Sequence, residues 1–282
     1  MPEPTCPKCR GERVIVDRTG ERCVARVCGC AAECPTCGGT GQTFVEKGGY
    51  TFAQACGCQA VGARVAQFNR ARLPARCGLT FESYAPTNEE QAKAQAAAVT
   101  TARRYRPEAP SKGFLVSGPV GTGKTHLLCA TLRHLTLELG VSARYVEISF
   151  LFSEIRKGFA ENRSGLDAIL PLVDADVLAI DELGKGRGSA FELDTLDELI
   201  ARRYNANRTT LFATNFLLDA EPGAGDGFIA VNARTVAKPP QSELLLRERI
   251  GERIYSRLHE MCHLIQFPQG TEDWRRRDLT RR

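Results

Sequence analysis

The sequence predicts an α/β fold built on a parallel sheet, with a small cysteine-rich unit ahead of it. Three observations carry this expectation. The apolar run Gly113 to Ser117 leads into Gly118-Pro119-Val120-Gly121-Thr122-Gly123-Lys124-Thr125, and a helix pattern follows through Leu139. A second apolar run, Val177 to Ile180, ends in the acidic pair Asp181-Glu182. Nine of the twelve cysteines fall within the first 58 residues, in close pairs at a regular spacing.

The glycine-rich loop has the form GxxxxGKT, and it sits between a strand and a helix, the context in which such a loop holds phosphates. Its backbone N–H groups and the helix N-terminus surround the phosphates of ATP or GTP. Lys124 is placed to neutralise the β/γ-phosphates and Thr125 to ligate Mg²⁺. Asp181, at a strand tip, is expected to hold the Mg²⁺ water shell, with Glu182 as general base on the attacking water. The plainer reading of the pair is an acidic strand end capping the next helix. A further strand, Thr209 to Ala213, ends in Thr214-Asn215. Asn215 suits positioning of the water or the γ-phosphate, where a lone Asn otherwise reads as a turn residue. Between these, Ala143 to Ile148 reads as a strand and Leu151 to Phe159 as a helix.

The cysteines repeat. Cys6-x2-Cys9 and Cys28-x-Cys30 are matched by Cys34-x2-Cys37 and Cys56-x-Cys58, each 28 residues later. Each unit thus offers four thiolates in two close pairs, the requirement of a tetrahedral structural Zn²⁺. Two zinc sites are expected, with ligand exchange between the units left open. Gly29, Gly38, Gly39, Gly41 and Gly57 would allow positive-φ turns that bring N–H groups toward sulfur. Cys23 breaks the repeat and reads as a spare thiol; Cys77, Cys129 and Cys262 read as small buried fillers. About 28 residues cannot bury a core without metal, so the units read as folding staples with a docking surface.

The first 76 residues hold eleven Lys/Arg and six Asp/Glu, the whole of the +5 net charge. Eight zinc-bound thiolates would nearly cancel that surplus, so bulk charge argues little for nucleic acid; Arg275-Arg276-Arg277 and Arg281-Arg282 remain as local basic clusters. The absence of an apolar N-terminal stretch or a membrane-length apolar run leads to the expectation of a cytoplasmic protein with no membrane partner. Val61, Val65 and Phe68 lie at helical spacing within 59–73, and Gln91 to Arg104 reads as a second helix. Arg64, Arg70, Arg72 and Arg76 decorate the first of these, as a solvated face or as contacts to a partner. The expected division is a duplicated four-cysteine zinc-binding domain at 1–58, a helical linker at 59–110 and an ATPase domain at 111–282.

Taken together, Leu79-Thr80-Phe81, Gly121 to Leu127, Ile180-Asp181-Glu182-Leu183-Gly184, Arg203-Tyr204, Ala213-Thr214-Asn215 and Glu252-Arg253-Ile254-Tyr255-Ser256-Arg257-Leu258 resemble the DnaC/DnaI-type helicase loaders. This is the AAA+ branch that also holds the IstB transposition helpers. The resemblance runs from about Leu73 to Asp278. It implies a five-stranded parallel sheet without a helical lid, ending in the strand Leu264 to Phe267. It gives Asn215 the sensor role, makes Arg257 a trans-acting arginine finger, and makes Arg253 its support. On the residues alone, the helix Gly251 to Cys262 leaves those arginines open between that role and ion pairs with Glu248, Glu252 or Glu260. The chain departs from the family in having Asp181-Glu182 where many members have Asp-Asp, and in a longer stretch at 219–246. A cysteine domain also stands where loaders carry their helicase-binding N-terminus. Within it, Cys34-Pro35-Thr36-Cys37-Gly38-Gly39-Thr40-Gly41 is similar to one CxxCxGxG element of the DnaJ-type zinc domain.

The function that the resemblance implies is an ATP-dependent loader of the replicative helicase. It would act as an ATP-dependent homo-oligomer on single-stranded DNA, with Arg156 and Lys157 beside Phe152 and Phe159 as candidate contacts. The plainer reading of the phenylalanines is core. An IstB-like ATPase helper of a transposase shares the same core. An ATP-switched adaptor whose zinc domain binds client polypeptide is the reading of a different class.

Overall fold

The computed structural model describes residues 6–277 apart from 33, 39, 77–78, 110 and 219–244. The expectations for Gly39, Cys77, Arg281, Arg282 and nearly all of the 219–246 stretch therefore lie outside the described residues.

Each cysteine unit is a Cys-x2-Cys turn, a hairpin and a Cys-x-Cys return. β1 (Val14–Thr19) pairs antiparallel with β2 (Arg22–Val27), and β3 (Gln42–Lys47) with β4 (Tyr50–Ala55). The 28-residue period holds down to single hydrogen bonds. The Arg10 N–H donates to Cys6 O at 2.7 Å, as Gly38 does to Cys34 O at 2.7 Å. Cys28 N–H donates to Arg13 O at 2.8 Å, as Cys56 does to Gly41 O at 2.9 Å. Gly38 and Gly41 take φ of 59° and 76°, and their counterparts Arg10 and Arg13 take 49° and 62°. The turn therefore enforces left-handed backbone even where glycine is absent, a strain the surrounding unit must hold. Gly29 and Gly57 do not take positive φ, contrary to expectation; Gly57 instead opens a helix, where the backbone is right-handed.

That helix, α1 (Gly57–Ala71), begins two residues before the expected start and takes Cys58 into its first turn. Its buried face of Val61, Val65 and Phe68 packs between the first hairpin and the helix after the glycine-rich loop. Asn69 fixes the register: its Oδ1 accepts from Ala25 N–H at 2.8 Å and its Nδ2 donates to Ala25 O at 3.0 Å. The two hairpins differ here. Val14, Cys23 and Ala25 of the first belong to the main core, whereas Phe44, Tyr50 and Phe52 of the second are exposed. α2 (Glu89–Arg104) follows, capped by the Asn88 side chain on Gln91 N–H.

The sheet has the order β6-β7-β8-β5-β9, all parallel, from β5 (Gly113–Ser117), β6 (Ala143–Glu147), β7 (Val177–Asp181), β8 (Thr209–Thr214) and β9 (Cys262–Gln266). This is the expected five-stranded arrangement. Strands β5, β7 and β8 are buried along their whole length, which is why they read as continuous apolar runs rather than alternations. α1, α2 and α3 (Lys124–Leu137) share a core with one face. α4 (Ile148–Ala160), α5 (Gly165–Asp174), α6 (Ala190–Asn205), α7 (Leu246–Ile250) and α8 (Glu252–Met261) share a core with the other. α8 stops one residue short of Cys262, which opens β9 two residues before the expected Leu264. Among the described residues only the short α9 (Trp274–Arg277) follows, and no helical lid.

Arg203 of α6 is fully buried. Its guanidinium donates to the carbonyls of Leu172, Ala175 and Thr209 at 2.8, 2.7 and 2.7 Å, and to Thr210 Oγ1 at 2.9 Å. Burial, reinforced by the nearby Arg208, pulls its pKa down to about 9. These bonds tie the end of α5 to the entry of β8, which sets the height at which β7 and β8 deliver Asp181 and Asn215.

Candidate nucleotide site and paired cysteine centres

The site forms at the carboxyl ends of β5, β7 and β8, where an open parallel sheet presents its ligands. Gly118 to Thr125 bridge β5 and α3. Two of its glycines are needed for close approach: a Cβ on Gly121 would lie 1.7 Å from Asp273 Oδ1, and one on Gly123 would lie 2.7 Å from Tyr84 Cε2. Lys124 is buried, and its Nζ donates to Gly118 O and Pro119 O at 2.7 Å each. Burial pulls its pKa down to about 8; the charges of Asp181 and Glu182 oppose that shift, and Arg275 adds to it.

Asp181 is held at both oxygens. Oδ2 accepts from Thr125 Oγ1 at 2.7 Å and from the Tyr145 hydroxyl at 2.8 Å, while Oδ1 accepts from Glu182 N–H at 2.9 Å. Hydroxyl and carboxylate thus meet at one point, the donor set that suits a hard cation such as Mg²⁺. Tyr145 was not foreseen as part of the site; its phenol is held neutral by burial and by Asp181. Glu182 sits just past the strand with φ of 57°, uncommon for a residue with a side chain. Its Oε2 accepts from Asn215 Nδ2 at 3.2 Å, and Lys185 lies 3.6 Å away. The structure therefore brings together Lys124, Thr125, Asp181, Glu182 and Asn215 as the sequence predicts.

The cleft opens to solvent directly above the loop, with Lys124, Thr125, Asp181, Glu182 and Asn215 among its lining residues. Its other walls were not foreseen. Leu79, Tyr84 and His126 line one side, Trp274 and Arg275 another. The Tyr84 hydroxyl is buried without a hydrogen-bond partner. Leu79 and His126 stood out only through the family resemblance, and Arg275 only as part of a basic run; no spacing in the sequence ties Leu79, Tyr84, Trp274 or Arg275 to the loop.

Arg253 and Arg257 share one face of α8, but neither lines this cleft. Both reach Asp197 of α6, Arg257 at 2.5 Å and Arg253 at 3.6 Å, rather than Glu248, Glu252 or Glu260. Arg156 pairs with the buried Glu192 at 3.0 Å, and Lys157 lies 4.0 Å from Glu161. Phe152 is core, as the plainer reading had it, while Phe159 is exposed.

The cysteines gather as Cys6, Cys9, Cys28 and Cys30, and as Cys34, Cys37, Cys56 and Cys58. The four ligand atoms of each group lie within 4.8 Å of one another, so each unit keeps its own set. The closest sulfurs are 3.9 and 3.4 Å apart in the first (Cys6 to Cys28, Cys9 to Cys30), and 3.7 and 3.4 Å in the second (Cys34 to Cys56, Cys37 to Cys58). A tetrahedral ZnS₄ centre needs about 3.8 Å, so the residues fit that ion. Backbone N–H groups lower Cys6 to about 7 and Cys34 to about 6, while neighbouring sulfurs raise Cys30 and Cys58 to about 12. Four such thiolates coexist only with a cation among them. Cys23 stays out: its thiol donates to Pro74 O at 3.1 Å.

Comparison with known proteins agrees with this geometry. The replicative helicase loader DnaC of Escherichia coli K12 is 30% identical over 152 residues, 52% of this chain and 60% of that protein. This chain thus spans less than two-thirds of that relative's length. The crystal structure of the DnaC helicase loader superposes with a TM-score of 0.54 at 24% identity, covering 68% of this chain and 98% of that one. The crystal structure of DnaI does so with a TM-score of 0.51 at 19% identity, covering 68% and 89%. The fold is therefore the AAA+ fold of these loaders. Residues 63–232 match the family model of the IstB-like ATP binding protein, a span that takes in the loop, the acidic pair and Asn215. Since this is more than half of its length, the chain belongs to the IstB-like ATP binding protein family.

Proposed function

We propose that this protein is an ATP-dependent loader of the replicative DNA helicase. The observation that carries the reading is one cleft uniting Lys124, Thr125, Asp181, Glu182 and Asn215 in a chain 30% identical over 152 residues to a DnaC loader. Lys124 and the loop N–H groups bind the phosphates. Thr125 and Asp181 would hold Mg²⁺, which supplies charge neutralisation at the phosphates. Glu182, oriented by Asn215, accepts the proton of the attacking water. Arg257, outside its own chain's cleft, reaches the nucleotide of a neighbouring subunit in an ATP-dependent homo-oligomer. The assembled ATPase domains hold single-stranded DNA, and hydrolysis releases the loaded helicase. Such a role is cytoplasmic, and among the described residues no helix is long and apolar enough to cross a membrane. The division at 58 and 110 assigns the two zinc units to partner docking.

The test is chromatography with light scattering on a mixture with the replicative helicase of the same genome, using Glu182→Gln to trap the ATP state. A stable complex in the ATP state is expected. No complex in any nucleotide state would discard the loader reading and favour the transposase helper, which the family match also supports. The adaptor reading rests on the CxxCxGxG element alone and requires the protein to suppress aggregation of an unfolded client.

A further inference from the structure

The segment after β9 builds one wall of the nucleotide cleft, and it is fastened there from two sides. Thr271 N–H donates to Pro268 O at 2.9 Å, and its Oγ1 accepts from Nδ2 of Asn88, the residue that caps α2, at 3.1 Å. Trp274 N–H donates to Gly121 O, within the phosphate loop itself, at 3.0 Å. Asp273 lies against the same glycine and accepts from Arg275 N–H at 2.9 Å, which locks the turn that leads into α9. The result is that Arg275, 154 positions after Gly121, lines the same cleft as Lys124, Asp181 and Asn215.

Arg275 forms no ion pair among the described residues, whereas Arg133, Arg156, Arg202, Arg208 and Arg257 each have a carboxylate. The Asp273 carboxylate beside it accepts from the Arg275 backbone N–H and lies against Gly121. Arg275 is also near enough to Lys124 for its charge to oppose the lysine's protonation. Two cations thus face one cleft, a repulsion that a polyanion between them would relieve. Arg76, the other arginine that lines the cleft, lies near enough to Cys129 for its charge to act on that thiol.

We propose that Arg275 is a phosphate-binding residue, supplied in cis by the chain's own tail, that grips the triphosphate of the nucleotide held by Gly118 to Thr125. This rests on the nucleotide-binding reading of the loop. A guanidinium suits the task because its planar fork donates two parallel N–H bonds to phosphate oxygens. It also ties the position of the tail to nucleotide state, since the same short segment bonds to Gly121.

The test is a titration of the full chain with a fluorescent ATP analogue, comparing wild type, Lys124→Ala, Arg275→Ala and Arg275→Lys. Arg275→Ala is expected to weaken binding about tenfold or more, and Arg275→Lys to recover part of it. The urea midpoint of each Arg275 variant without nucleotide should match wild type, because the side chain is exposed. Wild-type affinity in Arg275→Ala, with binding lost in Lys124→Ala, overturns the tail proposal and leaves the loop reading standing. No binding by wild type overturns both.

Discussion

Arg257 donates to Asp197 at 2.5 Å, across the seam between α8 and α6, and its own chain's nucleotide cleft lies elsewhere. The pair is less than one-third exposed, so the guanidinium is held in one place rather than sampling solvent. An arginine fixed outside its own site serves a neighbour's or none. Arg257→Ala should therefore bind ATP as wild type does and hydrolyse it about a thousandfold more slowly. Mixing Arg257→Ala with Lys124→Ala should restore part of the activity, because one variant supplies the loop and the other the arginine. A steady-state ATPase assay reads both results, and an inert mixture would rule out the trans arrangement.

Chelation should act unequally on the two cysteine units. Val14, Cys23 and Ala25 of the first hairpin share a core with α1 and α3, and the second hairpin leaves its aromatic residues in solvent. Cys6→Ser with Cys9→Ser is expected to lower the unfolding midpoint of the ATPase core by about 5 °C or more. Cys34→Ser with Cys37→Ser should leave it unchanged. Metal analysis should find two Zn²⁺ per wild-type chain and one in each variant.

Nucleotide affinity should fall as the solution becomes alkaline. Burial lowers Lys124 to about 8 in the free protein. Phosphate binding requires the ammonium and so raises that pKa, which couples binding to proton uptake above this value. From pH 7 to pH 9 the dissociation constant for ATP should rise about tenfold, and titration calorimetry in buffers of different ionisation enthalpy should detect the proton. Arg275→Ala removes a charge that helps to lower this pKa, so its pH midpoint should move upward.

Arg203→Lys should be among the most destabilising conservative changes in the chain. The guanidinium fork answers three carbonyls from two segments at once, which one ammonium cannot do. A loss of about 3 kcal/mol in urea unfolding is expected, with the charge left buried. An unchanged midpoint would show that these carbonyls find other donors.

The parts of the site readable in the sequence are those that lie within one strand–loop–helix passage. Gly118 to Thr125, Asp181-Glu182 and Asn215 each end a buried strand, and a buried strand announces itself by an unbroken apolar run. Four of the strands were legible in the local sequence and the two cysteine sets in their 28-residue repeat, whereas β9 was expected only through the family resemblance and begins two residues earlier than expected. Tyr84, Tyr145, Trp274 and Arg275 were not, since their place depends on which distant segments pack together. The partner of Arg257 was missed likewise: Asp197 is 60 positions away, and the nearer acids on α8 point elsewhere. α5, with Pro171 inside it, gave no signal strong enough to place it.

The duplicated hairpins have divided their obligations. Any change at Val14, Cys23 or Ala25 is judged by the fold, because those residues sit in the main core. Changes at Phe44, Tyr50 or Phe52 escape that judgement, since nothing in the core leans on them. The first hairpin thus answers to the fold, and the exposed face of the second does not. Substitutions on the exposed face of the second hairpin should therefore leave the folded core intact, and the two halves should accumulate substitutions at different rates.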